Sequence, residues 1–99
     1  MVGLNKIIGF DWDRGNARKN EKHGVSQAEA EQVFFNEPLV ILTDPGHSIT
    51  EPRFHALGVT EEARFLHITF TLRFENTRIR VISARDMHRK ERSIYEKSK

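Results

Sequence analysis

Arginine recurs near the end of this 99-residue chain, at positions 78, 80, 85, 89 and 92. A guanidinium stays charged at every working pH and can grip two phosphate oxygens at once. A row of them on rigid elements is what a phosphodiester binder needs. Cleaving RNA without a metal adds two demands. A base must help the 2′-hydroxyl attack the adjacent phosphorus, and an acid must protonate the leaving 5′-oxygen. Arg53, Arg80 and Arg85 can stabilise the charge that grows on the phosphate, and Glu51, His55, His67 and Tyr95 are candidates for the proton transfers. Spacing alone does not say which of these lie together. A plainer reading stands beside this one: a half-buried strand with a solvated Arg face, then a basic helix that keeps the chain soluble.

These residues need elements to hold them. In Thr77–Tyr95, Ile79 and Val81 fall on one face of an extended segment and Arg78 and Arg80 on the other. Ser83, with Asp86 three residues on, then reads as a helix start. Arg85, Arg89 and Arg92 follow at i, i+4 and i+7, so a helix from Ser83 stacks them on one side, with Met87 and Ile94 on another. Upstream, Ile7–Trp12 reads as a strand and Arg14–His23 as a charged helix ended by Gly24. That helix exposes Arg14, Arg18, Lys19 and Lys22, and Lys19 and Lys22 join Arg89 and Arg92 as candidate RNA contacts. Ser26–Glu29 is a capping box that opens a second helix to about Asn36, with Ala30, Val33 and Phe34 as its buried stripe.

Leu39–Thr43 reads as a central strand, and Asp44-Pro-Gly as a turn. Arg53–Thr60 and Arg64–Leu72 are further strands. In the second, Leu66, Ile68, Phe70 and Leu72 alternate with His67, Thr69 and Thr71, and Leu66, Ile68 and Phe70 are expected to face the Ala30–Phe34 helix. The order β-α-α-β-β-β-β-α with short turns implies an α+β fold. It predicts an antiparallel sheet of four to five strands, two N-terminal helices and a C-terminal helix, with the helices on one face. The length supports a single domain over residues 1–99.

Composition narrows the function classes. There is no Cys, hence no thiol nucleophile and no disulfide framework, which fits a cytoplasmic protein. The five His show no metal-ligand spacing, so neither a metal nor another cofactor is expected. No phosphate-binding glycine pattern or nucleophile elbow is present. No apolar run has the length of a membrane span, and Met1–Phe10 is too short and polar for a signal peptide. The net charge of +2 is unevenly spread. Residues 78–99 hold eight Lys/Arg against three Asp/Glu, while the rest holds eight against eleven. The C-terminal part therefore suits a polyanionic partner.

Three islands, in order, resemble the BrnT family of bacterial type II toxins: FDWDRGNARKNEKHGVS from Phe10, DPGHS from Asp44 with Glu51-Pro-Arg53 and Gly58, and VISARDMHRKERSIYE from Val81. Together they span nearly the whole chain. Two positions depart from the family pattern: Arg14 replaces a common Pro, and Pro52, in place of a polar or acidic residue, restricts Glu51 to an extended conformation. The resemblance implies a RelE-like ribonuclease fold and metal-independent mRNA cleavage that arrests translation. It also implies a BrnA-like ribbon-helix-helix antitoxin, through which alone operator DNA is bound. Arg53 and Arg85 are the positions it weights most, then Arg80, Arg89 and Arg92. The competing function is a non-catalytic nucleic-acid-binding or interaction module.

Overall fold

The computed structural model describes residues 6–13, 15, 23–47 and 51–98. Its elements are β1 (Gly9–Phe10), α1 (Gln27–Val33), β2 (Val40–Thr43), a 3-10 turn (Pro45–His47), β3 (Phe54–Val59), β4 (Phe65–Arg73), β5 (Arg78–Asp86) and α2 (Arg89–Glu96). The expected helix over Arg14–His23 falls almost wholly outside the described residues, and Lys19 and Lys22 with it. No helix among the described residues is long and apolar enough to cross a membrane.

The strands form one five-stranded sheet in the order β1-β5-β4-β3-β2. The consecutive strands β2 to β5 pair antiparallel, as their short turns require. The expectation of a purely antiparallel sheet is corrected at one edge. The β4–β5 hairpin leaves the outer edge of β5 open, and β1 takes it in parallel, with Ile8 N–H donating to the Thr77 carbonyl and Asp11 N–H to that of Ile79. The sheet is therefore mixed.

Alternation in β3, β4 and β5 sorts side chains onto two faces. Ala56, Leu66, Ile68, Phe70, Ile79, Val81 and Ala84 point one way and are buried with Ala30 and Val33 of α1. Burying a Phe or Leu fully contributes about 1.5–3 kcal/mol, so this row is the main store of stability. Phe34 meets Phe70 edge to face at 5.1 Å. Close approach is secured by Gly58, where an added Cβ would lie 2.6 Å from Val33 Cγ1. Ser26 caps α1 reciprocally with Glu29, as its sequence predicts.

Helices do not share one face, contrary to expectation. The second face carries Leu57 and Phe65 at one end, and these apolar side chains also need cover. α2 supplies it: Tyr95 is fully buried, meets Phe65 edge to face at 5.8 Å and donates its hydroxyl to the Pro38 carbonyl at 2.8 Å.

The final helix also begins later than Ser83. Chain pairing continues through Asp86, and Met87 N–H still donates to the Phe65 carbonyl. A helix from Ser83 would strip β4 of its partner over Leu66–Thr69 and leave backbone groups unpaired, which is costlier than any capping gain. Arg85 is thus a strand residue, and it does not stack with Arg89 and Arg92 on a helix. A bulge lies within β5: Thr69 pairs with Ser83 but Phe70 with Val81, leaving Ile82 extra. Arg80, Ser83 and Arg85 consequently share the second face with Thr71, Thr69 and His67.

Candidate active site

On that second face, beside the part α2 covers, the sheet presents a polar band. It begins at β3 with His55. Its Nε2 lies 2.8 Å from Asp44 Oδ2 and its Nδ1 3.0 Å from Thr69 Oγ1. Asp44 follows β2 and Thr69 lies opposite His55 in the ladder, so a hairpin and a strand pair fix the imidazole from both sides. With the Nε2 proton directed at the carboxylate, Nδ1 is the basic nitrogen and Thr69 its hydroxyl donor.

The His67 ring comes next, stacked on His55 with centroids 4.9 Å apart. Its side chain is 11% exposed, its Nδ1 has no partner among the described residues, and its Nε2 stands 3.6 Å from Glu91 Oε2. Burial pushes its pKa down to about 4, against the pull of Glu91, so it is neutral at physiological pH.

Opposite His67 stands Arg85, whose Nη1 and Nη2 each donate to Glu91 at 2.8 Å, while Nη1 also donates to the Asp86 carbonyl. The Arg85 hydrogen bonds and the His88 amide hold the Glu91 carboxyl down at about 2, against its burial. Glu91 in turn raises the Arg85 pKa. The pair commits one end of the guanidinium. Its other edge, Nε–H with the second Nη2–H, donates to no described residue. That edge is a two-pronged anion donor held in fixed orientation.

The remaining nominated residues divide. Arg53, half-buried, lies just before β3 and two residues before His55, its carbonyl accepting from the Asp44 N–H at 3.1 Å. Arg80 shares the face but is gripped by Asp11 at 2.7 Å, with Asp13 at 3.7 Å. Glu51 pairs with Arg73 at 3.3 Å, away from Arg85. Tyr95 is on the covered side of α2, its hydroxyl committed to backbone. Arg92 lies over the Phe65 ring at 3.7 Å and near Glu96, and Arg89 is exposed.

Sequence reasoning missed three members of the band. Asp44 was read only as a turn former, although the β2–β3 hairpin register places it beside His55. Thr69 was one polar residue of an alternating strand. Glu91 was hidden by the misplaced helix start, although it is the third residue after His88, where a capping carboxylate belongs. Arg64 was also overlooked. It joins Glu29 of α1 and the Gly24 carbonyl to Asp86, the residue after Arg85.

The sequence profile described as the ribonuclease toxin BrnT of type II toxin-antitoxin systems matches residues 12–91. The chain belongs to the BrnT family. That match spans Asp44, His55, His67, Thr69, Arg85 and Glu91, so the whole band lies inside the family region. No curated protein matches the chain. Among solved structures, it is similar to the ribonuclease toxin BrnT of Brucella abortus, with TM-score 0.58 and 20% identity over 83% of this chain and 99% of that one. The likeness shows that the BrnT-family chain shares its α+β fold. Membership makes it a toxin of a toxin-antitoxin pair, with ribonuclease activity as the family's chemistry and an antitoxin as its counterpart.

Proposed function

We propose that this BrnT-family protein cleaves mRNA without a metal, by internal transesterification at the His55–Arg85 band, and so arrests translation in the cytoplasm. The observation that carries the reading is the Arg85 guanidinium, clasped by Glu91 at one end and open along the other edge. A free surface arginine would have to lose side-chain entropy to hold a phosphate, whereas this one is already oriented. In the proposed step the substrate 2′-hydroxyl displaces Thr69 from His55 Nδ1. Its oxygen attacks phosphorus while its proton passes to His55, and Asp44 stabilises the imidazolium that forms. Negative charge grows on the non-bridging oxygens, against the open edge of Arg85 and beside Arg53. The bond from phosphorus to the 5′-oxygen breaks, and that oxygen takes up a proton from solvent. The products are a 2′,3′-cyclic phosphate and a 5′-hydroxyl end.

A BrnA-like ribbon-helix-helix antitoxin is the proposed counterpart, covering the Arg-rich surface, with operator DNA bound only through the complex. The test combines growth arrest on induction with cleavage of RNA by the purified chain in a chelator. Arg85→Ala should lower cleavage by roughly 10²–10³, the usual cost of one preorganised donor, and Arg85→Lys should restore little of it. Glu91→Gln loosens the clasp but keeps the guanidinium, so it controls for lost packing and should retain more activity than Arg85→Ala. A folded Arg85→Ala protein that stays fully toxic refutes the assignment, as does cleavage that stops in the chelator.

A further inference from the structure

The far end of the same face carries a second feature that the band does not use. At the β4–β5 turn, Phe74 is 64% exposed, and Arg78 Cζ stands 5.5 Å from its ring centroid. Phe74, Glu75 and Asn76 all adopt positive φ, at 54°, 56° and 67°. That region disfavours a bulky side chain, and holding Phe74 there costs on the order of 1–3 kcal/mol. The strain brings no burial in return: it holds an aromatic ring out in water.

Two cations meet beside it. Arg73 and Arg78 are direct cross-strand partners, a like-charge pairing that destabilises a sheet. Arg73 is partly offset by Glu51 at 3.3 Å, yet its Nε is buried with no partner among the described residues. Arg78 is exposed and pairs with no carboxylate among the described residues, unlike Arg80 and Arg85. The turn thus holds an exposed ring, an unneutralised guanidinium and an orphaned N–H. An anion answers the exposed Arg78 guanidinium and the exposed part of the Arg73 side chain, and a flat π-system answers the ring, while the Arg73 Nε–H itself lies too deep for a ligand.

We infer that the β4–β5 turn is a subsite for single-stranded RNA, in which a base stacks on Phe74 and its phosphate sits between Arg78 and Arg73. The inference rests on the reading of the chain as a ribonuclease and deepens it. Arg73 lies six residues along β4 from His67, about 20 Å at roughly 3.3 Å per residue. The base held at the turn is therefore several nucleotides away from the phosphate held by Arg85. An aromatic ring reads no base edge, so the subsite adds affinity and direction rather than sequence choice.

The probe is a fluorescein-labelled single-stranded RNA of about 12 nucleotides, methylated at every 2′-oxygen so that it cannot be cleaved. Anisotropy against the purified chain reads its affinity. Phe74→Leu should weaken binding by roughly fivefold to a hundredfold, whereas Phe74→Trp should retain it. Arg78→Ala should weaken it and reduce the slope of log affinity against log salt by about 0.7, the loss of one phosphate contact. Thermal melting of each variant controls for folding. Unchanged affinity of the probe for folded Phe74→Leu and Arg78→Ala overturns the subsite. So does a loss confined to antitoxin binding, which would make the turn a protein contact. Cleavage by the parent chain is measured separately: a parent that never cleaves RNA sinks the ribonuclease reading, while unaltered RNA binding by the turn variants sinks only the subsite.

Discussion

The two faces of the sheet are cut from alternate residues of the same strands, yet they are finished differently. On the α1 side every inward position from Leu66 to Phe70 is apolar and buried, and α1 seals the layer. On the other side α2 covers only the end marked by Leu57, Phe65 and Tyr95. The rest is held by polar contacts: Asp44 to His55, His55 to Thr69, Glu91 to Arg85. One face supplies stability through area, which tolerates small changes of shape. The other supplies orientation through directed bonds, which do not tolerate loss of a partner. The strand pattern lets a small chain do both with one sheet.

The largest test of this contrast is Phe70→Ala on the α1 face. It should cost about 3–5 kcal/mol of stability, measured by denaturant unfolding, and lower activity only as far as the folded fraction falls. A large loss of cleavage in the protein that remains folded would mean that the faces are coupled through the sheet.

A smaller effect is expected at Tyr95, which lies on the second face but on its covered part. Tyr95→Phe removes one hydrogen bond to the Pro38 carbonyl and should cost about 0.5–1.5 kcal/mol in thermal or denaturant melting. Cleavage per folded molecule should not change. A variant that melts normally but no longer cleaves would restore Tyr95 to the chemistry.

The subtlest outcome concerns pH. His67 is neutral in the fold, with its pKa down at about 4 against an ordinary value of 6.5. The unfolded chain binds the extra proton first, so stability should be full above about pH 6.5 and decline as pH falls toward 4. Glu91, held at about 2, contributes stability above its ordinary 4.5 that is lost as pH falls further. The two limbs run in sequence. His67→Phe should flatten the upper limb of a stability-versus-pH profile and leave the lower one; a profile identical to the parent's would show that His67 is not desolvated.

How far the sequence could be read follows the same division. Alternation in Arg64–Leu72 and the capping box at Ser26 were strong local signals: the strand stands one residue on, at Phe65–Arg73, and the helix starts after Ser26 as its cap requires but ends at Val33, short of Asn36. The α1-facing core was therefore legible. The band was only half legible, because its members come from separate strands and meet through ladder register, which spacing along the chain does not encode. Asp44 and His55 lie eleven apart, and Arg64 meets Asp86 across twenty-two positions. The misplaced start of the last helix has a related cause. Ser83 to Asp86 satisfies a local helix rule, but β4 needs a partner over its full length, and the long-range ladder prevailed.

The extra residue at Ile82 gives β5 a change of phase. Arg80 and Arg85 are separated by an odd number of positions, so an uninterrupted strand would send them to opposite faces. The bulge brings both guanidinium groups to the same side and puts Ala84, rather than Arg85, into the core. What matters at position 82 is therefore that the residue stays outside the ladder, more than which side chain it carries. Many side chains can occupy a half-buried bulge, but drawing Ile82 into the ladder would put Arg85 opposite Leu66 in the core and send Ala84 to the face of His67. The candidate active face of this toxin is written in the phase of one strand.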